Sequence, residues 1–415
     1  MDVSSSWTAH DWMNRGSELL DPDPWLAKRL LGRGLQLDPN EAIAWFNLGI
    51  GLHQQRRIPA AVRAYRHCLT LPHTKETEQA ARNNLAQDLL LLGRWKEGWD
   101  HYAQRFGRKP GNHPLFESAF GPSHQGALDP SKPVLLMSEQ GFGDTVQFSR
   151  YALHLQRQGF DVTLLSQPAL VPLLRDAVGL NQVVGKLESN DWTGQQPSWL
   201  PLLNLLPALQ AEALWAPFSS GYLKIEADHV QRWSALLERK PGHRLVALHW
   251  QGNPGHEHSL YSRGRSLPFD HLLALGQLAD VEFVSIQKGA GSEQLQTKSG
   301  LLRFVAGQGT VSQSMDFKDT AAVLANCDLL ISSDSAVVHL AGAMGIPTWL
   351  ALRWIPEWRW GLEGESTDWY DSVRLFRQPR DGDWDAVIQA MIATWMRGLA
   401  PSNRRSGDCL SPKLL

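Results

Sequence analysis

Apolar positions recur with two different periods along the chain, and the change of period near Phe106 divides it. Upstream, Trp45, Leu48, Gly49 and Leu52 mark one face at helical spacing, and Ala61, Tyr65 and Cys68 mark a second. Steps of three and four residues predict amphipathic helices. Leu85, Ala86, Leu89, Gly98 and Tyr102 repeat the order after extra sequence at Thr74–Glu78, and Ala27, Leu31 and Pro39 form a degraded copy before it. Downstream, short apolar runs alternate with helical stretches. Strands are predicted at 134–137 and 161–165, with helices at 146–158 and 168–177. Gly221 to Gly242 then carries Val230, Trp233, Leu236 and Leu237 at helical spacing. A second series predicts strands at 245–250, 281–286, 329–332, 348–352 and 373–376, with helices at 269–278, 320–325 and 336–343. Strands alternating with helices imply parallel sheets built from βαβ units.

The large-over-small pattern of the first region matches tetratricopeptide repeats rather than the alternative of three ordinary helical hairpins, since positions coincide between two copies. The expected organisation is a tetratricopeptide module at 8–112, a linker at 113–132, and a Rossmann-like domain at 133–222. An interdomain helical linker at 223–242, a second Rossmann-like domain at 243–400 and a disordered tail at 401–415 complete it. Ligands of open parallel sheets bind beyond the carboxyl ends of the strands, so the cleft between the two domains is the expected site.

Composition narrows the function classes. The 40 basic and 42 acidic side chains leave a formal charge of −2. That gives no basic field for nucleic acid. The 3 cysteines, Cys68, Cys327 and Cys409, are far apart and point away from a disulfide framework or a structural zinc. Met1 to Ser6 lacks the basic and apolar regions of a signal peptide. The richest apolar stretch, Trp199 to Trp215, is interrupted by Pro201, Asn204 and Pro207, so no integral membrane segment is expected. A cytoplasmic protein, or one peripheral at the inner membrane, fits these features.

Three segments carry candidate chemistry. Glu139-Gln140-Gly141-Phe142-Gly143-Asp144 joins the first strand to a helix. Asp144 reads equally as a helix cap or as a general base facing the cleft, with Glu139 the next candidate base. The second segment, His249 to Pro268, has a Gly-Asn-Pro turn followed by Arg263 and Arg265, whose guanidinium forks suit phosphate. Its His256 and His258, with His249, form only a weak metal signal without a carboxylate or thiolate partner. In the third, Ser335 and the amides of Ala336 and Val337 stand at a helix start suited to a diphosphate. His339 lies one turn on, as a ligand contact or as a packed core histidine. Trp354, Trp358, Trp360 and Trp369, among the 18 tryptophans, are expected mainly to pack the C-terminal crossover.

Taken together, EQGFGDTVQF (139–148), WQGNP (250–254), RSLP (265–268), FVSIQKG (283–289), DSAVVHLAGAMGIPTW (334–349), EWRW (357–360) and WYDSVRLFRQ (369–378) resemble glycosyltransferase family 9. This is the bacterial heptosyltransferase-like group of GT-B enzymes, and the closer likeness is to members joined to tetratricopeptide repeats. The resemblance covers residues 10–380. It implies an α-helical module followed by an α/β GT-B fold. It also implies a hexosyl- or heptosyltransferase that takes a nucleotide-diphosphate sugar, is inverting, and needs no metal or other cofactor. Asp144 takes the catalytic-base position, and Gln140, Gly141 and Gly143 form the acceptor loop. Arg265, Ser335, Ala336, His339, Gln287, Lys288 and Gln251 fall at nucleotide- or phosphate-binding positions, and Asp334 at the donor-sugar carboxylate. Arginine stands at 265 where the family often has lysine, and Ser335-Ala336 replaces its usual Thr-Ser or Thr-Gly. The implied partners are a nucleotide sugar and a glycan or protein acceptor, the latter reached through the repeats. The rival reading is a non-catalytic scaffold whose GT-B remnant only binds nucleotide.

Overall fold

The computed structural model describes residues 7–104, 123–124, 126–187, 196–209, 216–257, 261–314 and 316–398. Most of the expected linker, and the tail at 401–415 with Cys409, lie outside the described residues, as does His258.

The first region is helical throughout: α1 (Ala9–Glu18), α2 (Pro24–Leu37), α3 (Ala42–Gln54), α4 (Ile58–Cys68), α5 (Lys75–Leu91) and α6 (Trp95–Tyr102). Local chemistry sets several starts. Thr8 and Asp11 close a capping box on α1, and Asp23 and Thr74 cap α2 and α5 through their side chains. Consecutive helices pack in pairs, large residues against small. At Gly49 the approach is so close that a β-carbon would lie 2.3 Å from the Tyr65 ring.

The second region holds a parallel sheet formed by β1 (Val134–Met137), β2 (Val162–Leu165), β3 (Gln182–Val184) and β4 (Ser198–Pro201), in the order β3-β2-β1-β4. The helix α7 (Phe142–Arg157) follows β1 and starts one turn earlier than its apolar pattern predicts. β3 and β4 escape the pattern because they are short and, in β4, end on a proline. The predicted helix at 168–177 is instead a chain of three turns, from 3-10 through α to π geometry. Pro168 and Pro172 remove the amide donors that a regular ladder requires.

After the linker helix α8 (Ala227–Ser234) comes β5 (Arg244–His249), then β6 (Val281–Ser285), α9 (Phe317–Ala325), β7 (Leu329–Ser333), α10 (Ala336–Met344), β8 (Thr348–Leu352), β9 (Val373–Arg377) and α11 (Trp384–Met396). These strands form a second parallel sheet, ordered β6-β5-β7-β8-β9. The helix predicted at 269–278 is α-helical only over Phe269–Leu272 and continues as a tighter 3-10 turn. Two parallel α/β sheets and a helical region fit the GT-B-like arrangement that the resemblance implies.

The segment between β8 and β9 crosses back over the first half of the chain. Trp358 meets Trp99 edge-on at 5.2 Å and Trp95 at 6.5 Å, and Trp369 packs 6.2 Å from Trp95. Trp358, Trp360 and Trp369 are buried, as expected of packing residues. Arg150 of α7, itself buried, donates to the Trp369 carbonyl at 2.8 Å and lies over the Tyr370 and Tyr222 rings. A cation removed from water is thereby hydrogen-bonded and flanked by aromatic faces.

Candidate active site

A cavity of about 1030 Å³ opens between the carboxyl ends of β1 and β5 and the starts of α7 and α10. Asp144, Arg265, Ser335, Ala336, His339, Lys288, Gln251, Asp334, Gln140, Gly141 and Gly143 all line it. The one predicted site residue absent from its lining is Gln287. That side chain lies behind the β5 loop, accepting the amides of Trp250 and Gln251 and donating to the carbonyls of Gln251 and Ala290. Its amide is consumed in shaping the loop at a position where the resemblance implies that a nucleoside is held.

The turn after β1 delivers Asp144. Gly141 is the N-cap of α7 and Asp144 the third helical residue, so the carboxylate is not the cap itself. It closes a capping-box contact in which the Gly141 amide donates to Oδ2 at 3.0 Å. Its other oxygen pairs with the Arg359 guanidinium. Each carboxylate oxygen has two lone-pair sites, so both retain room for a second donor from the cavity. Gly143 is needed for helix contact. A β-carbon there would lie 2.7 Å from the His339 ring and 3.2 Å from the Ala336 Cα, so the starts of α7 and α10 touch only because this residue has none.

Arg359 and Glu357 also line the cavity, beyond the residues that the three segments single out. Both belong to the EWRW string (357–360), whose tryptophans carry the packing expectation. Arg359 is buried and binds Asp144, Glu357 and the Gln147 side chain. Burial alone would lower its affinity for a proton, but the Glu357 and Asp144 carboxylates outweigh that and raise it. Burial pushes the Glu357 carboxyl up to about 7 against the opposing pull of Arg359. A charge-reading of the string, with a carboxylate two residues before an arginine amid aromatics, could have found the pair.

The opposite wall is cationic and rich in hydrogen-bond donors. Ser335 is the N-cap of α10 but makes no side-chain cap. Its hydroxyl lies 3.1 Å from His249 Nδ1 instead. Burial pushes the His249 imidazole down to about 4. His339 Nδ1 lies 3.0 Å from the Tyr370 hydroxyl and its ring stacks on Trp360. Burial, followed by Arg359, Arg150 and Arg265, holds its imidazole well below the usual range. Both histidines are therefore neutral near pH 7, and His339 is at once packed and cavity-facing. Lys288 donates to the Val311 carbonyl, and burial pushes its amine down to about 8.

Arg265 differs from its neighbours. It lines the cavity, makes no hydrogen bond to any described residue, and has its Nε buried without a partner. Asp334 Oδ2 is likewise buried without a partner. The loop carrying Arg265 is anchored elsewhere: Tyr261 bonds Tyr65 at 3.1 Å and reaches the buried Asp88, and Arg263 pairs with Asp21. Among the described residues no group of three or more His, Cys, Asp or Glu side chains converges to hold a metal.

A family model described as glycosyltransferase family 9 (heptosyltransferase) matches residues 277–351. Protein FlbA of Caulobacter vibrioides is 26% identical over 387 residues, covering 89% of this chain. The chain spans 63% of the length of that relative. Among solved structures, a glycosyl transferase family 9 protein from Veillonella parvula aligns with TM-score 0.49 and 11% identity, over 66% of this chain and 99% of its own. The ADP-heptose lps heptosyltransferase II of E. coli aligns with TM-score 0.40 and 10% identity, over 65% of this chain and 100% of its own.

Proposed function

We propose that this protein is a glycosyltransferase that moves a sugar from a nucleotide-diphosphate sugar to a glycan or protein hydroxyl, with inversion and without a metal. The observation that carries the reading is Arg265: a cationic fork with no hydrogen-bond partner among the described residues, lining the same cavity as the uncapped start of α10 and Asp144. A diphosphate would receive the guanidinium fork, the Ser335 hydroxyl and the free amides at the helix start. The match of residues 277–351 to the family 9 model supports the same end of the cleft as the donor side.

In this reading Asp144 takes the proton of the acceptor hydroxyl as its oxygen bonds to the anomeric carbon. The anomeric carbon–oxygen bond to the diphosphate breaks on the opposite face, and its electron pair leaves on the phosphate oxygen. Arg265 and the dipole of α10 stabilise that departing charge where it develops. Arg359 holds the Asp144 carboxylate in place, and Asp334 accepts from a hydroxyl of the donor sugar. The helical region is read as a tetratricopeptide module.

One observation favours the rival, a nucleotide-binding scaffold: both Asp144 oxygens already serve structure, one on Gly141 and one on Arg359. A scan of ADP-, GDP- and UDP-sugars with the full chain separates the two. Slow release of free sugar and nucleoside diphosphate from one of them is expected. Binding of a nucleoside diphosphate without turnover of any sugar nucleotide would leave only the scaffold.

A further inference from the structure

The acceptor end of the cleft has a second wall, and it belongs to the helical region. A cavity of about 520 Å³ lies between α5 and the site, lined by the carboxamides Asn83, Asn84 and Gln87 on one side and by Asp144, Arg265 and Glu357 on the other. The three amides occupy positions i, i+1 and i+4 of α5 and share one face. Asn83 and Gln87 make no hydrogen bond to any described residue, and Asn84 makes only a 3.5 Å contact with the Tyr65 hydroxyl. Donors and acceptors half removed from water and left without protein partners are a surface prepared for a polar ligand.

The ligand's shape follows from spacing. Residues four apart on a helix are separated by about 6 Å along its axis. An extended peptide repeats every second residue at about 6.6 Å. Each carboxamide offers one acceptor and an N–H donor, as each peptide unit does. A sugar chain would stack best on an open aromatic face, and two of the three lining rings, Trp358 and Tyr261, already have a partner over a face. The Arg359 guanidinium lies 4.1 Å from the centre of the Trp358 ring, and His53 covers Tyr261 at 4.2 Å.

We propose that this cavity is the acceptor subsite and that its occupant is an extended peptide segment lying along α5. Asn83 and Gln87 bond alternate peptide units and bring a serine or threonine hydroxyl to Asp144. The assignment rests on the transferase reading for the reaction, but the peptide groove itself does not need it.

Two measurements on the full chain separate the two ideas. The first is retention of a fluorescent library of short, unstructured Ser/Thr peptides by the immobilised protein, with oligosaccharides as the competing probe. Peptides are expected to bind, and Asn83→Ala with Gln87→Ala should weaken them by about 10-fold or more, from two neutral hydrogen bonds. Asn83→Asp with Gln87→Glu keeps shape while removing the donors, and should weaken binding similarly if the alanine pair folds poorly. Calorimetry with nucleoside diphosphates reports whether each variant keeps its cleft. The second measurement is label transfer from radioactive ADP-, GDP- and UDP-sugars to the same probes. Label on peptide hydroxyls, reduced in both variants, is the expected result. Peptide binding that depends on Asn83 and Gln87 without any sugar turnover would sink the transferase reading and leave the groove. Label or binding confined to oligosaccharides, or peptides held equally by both variants, would overturn the groove.

Discussion

The two helices that meet at the cleft, α7 and α10, follow the same strand–turn–helix plan yet begin in opposite electrostatic states. A helix start carries roughly half a positive charge from its unpaired amides. In α7 that charge is answered from within, because Asp144 accepts the Gly141 amide and adds a full negative charge in the first turn. In α10 no side chain caps the start, and the Ser335 hydroxyl faces His249 instead. One helix thus presents a carboxylate to the cavity and the other presents donors beside Arg265. A single residue type in the first turn decides whether such a unit presents a carboxylate or free donors to the cavity.

The largest expected effect is on the carboxylate side. Asp144→Asn should slow transfer about 10²–10⁴-fold, the typical share of a general base, while nucleoside diphosphate affinity is retained. The variant also leaves the buried Arg359 with Glu357 as its remaining carboxylate. Its thermal midpoint should therefore fall, unlike that of a simple cap exchange. Near-normal turnover would reduce Asp144 to its two structural bonds.

On the anion side, Arg265→Ala should weaken nucleoside diphosphate binding by about 1.5–3 kcal/mol, the value of a charge-assisted hydrogen bond. Calorimetry that finds unchanged affinity would remove Arg265 from the donor site. Next comes the contact that joins the two starts. Gly143→Ala sets a β-carbon against the His339 ring and the Ala336 backbone, and should cost about 1–3 kcal/mol of stability by overpacking. A denaturant midpoint identical to that of the parent would show the helices to be free to separate.

The last comparison is a pH dependence. Burial pushes His249 down to about 4 in the fold, against an ordinary 6.5 in the unfolded chain. The unfolded chain therefore binds the proton first, and stability present above pH 6.5 is lost as pH falls toward 4. His249→Asn removes that contribution, and its melting temperature should drop less over this window, by about 2–4 °C for each kcal/mol involved. Parallel profiles for the two proteins would show that the imidazole is not held neutral.

Much of the scaffold was legible because period is a local property. The helical spacing around Trp45 and Tyr65, and the apolar runs at Val134, Leu245 and Leu329, each predict an element that forms. Elements that depend on neighbours were not legible. β3 and β4 are short and acquire their strand geometry from the ladder beside them. The prolines at 168 and 172 could be seen, but not which of three turn types would replace the helix. In the site, loop chemistry at Asp144, Arg265 and Ser335 marked the cleft, because glycine turns and helix starts announce themselves in sequence.

What the amino-acid order determined alone is therefore the set of elements and the residue types at their ends: a carboxylate beginning one helix, a hydroxyl beginning another, an arginine in the loop between. Tertiary structure decided the partnerships. It turned Gln287 inward to hold its loop, brought Arg359 to Asp144 across 215 positions of sequence, seated Tyr261 against Tyr65, and set the amide face of α5 beside the cleft. The physical reason is range. Helix and strand periods arise within a few residues, whereas charge pairing and cavity shape depend on which distant segments the buried apolar surface brings together.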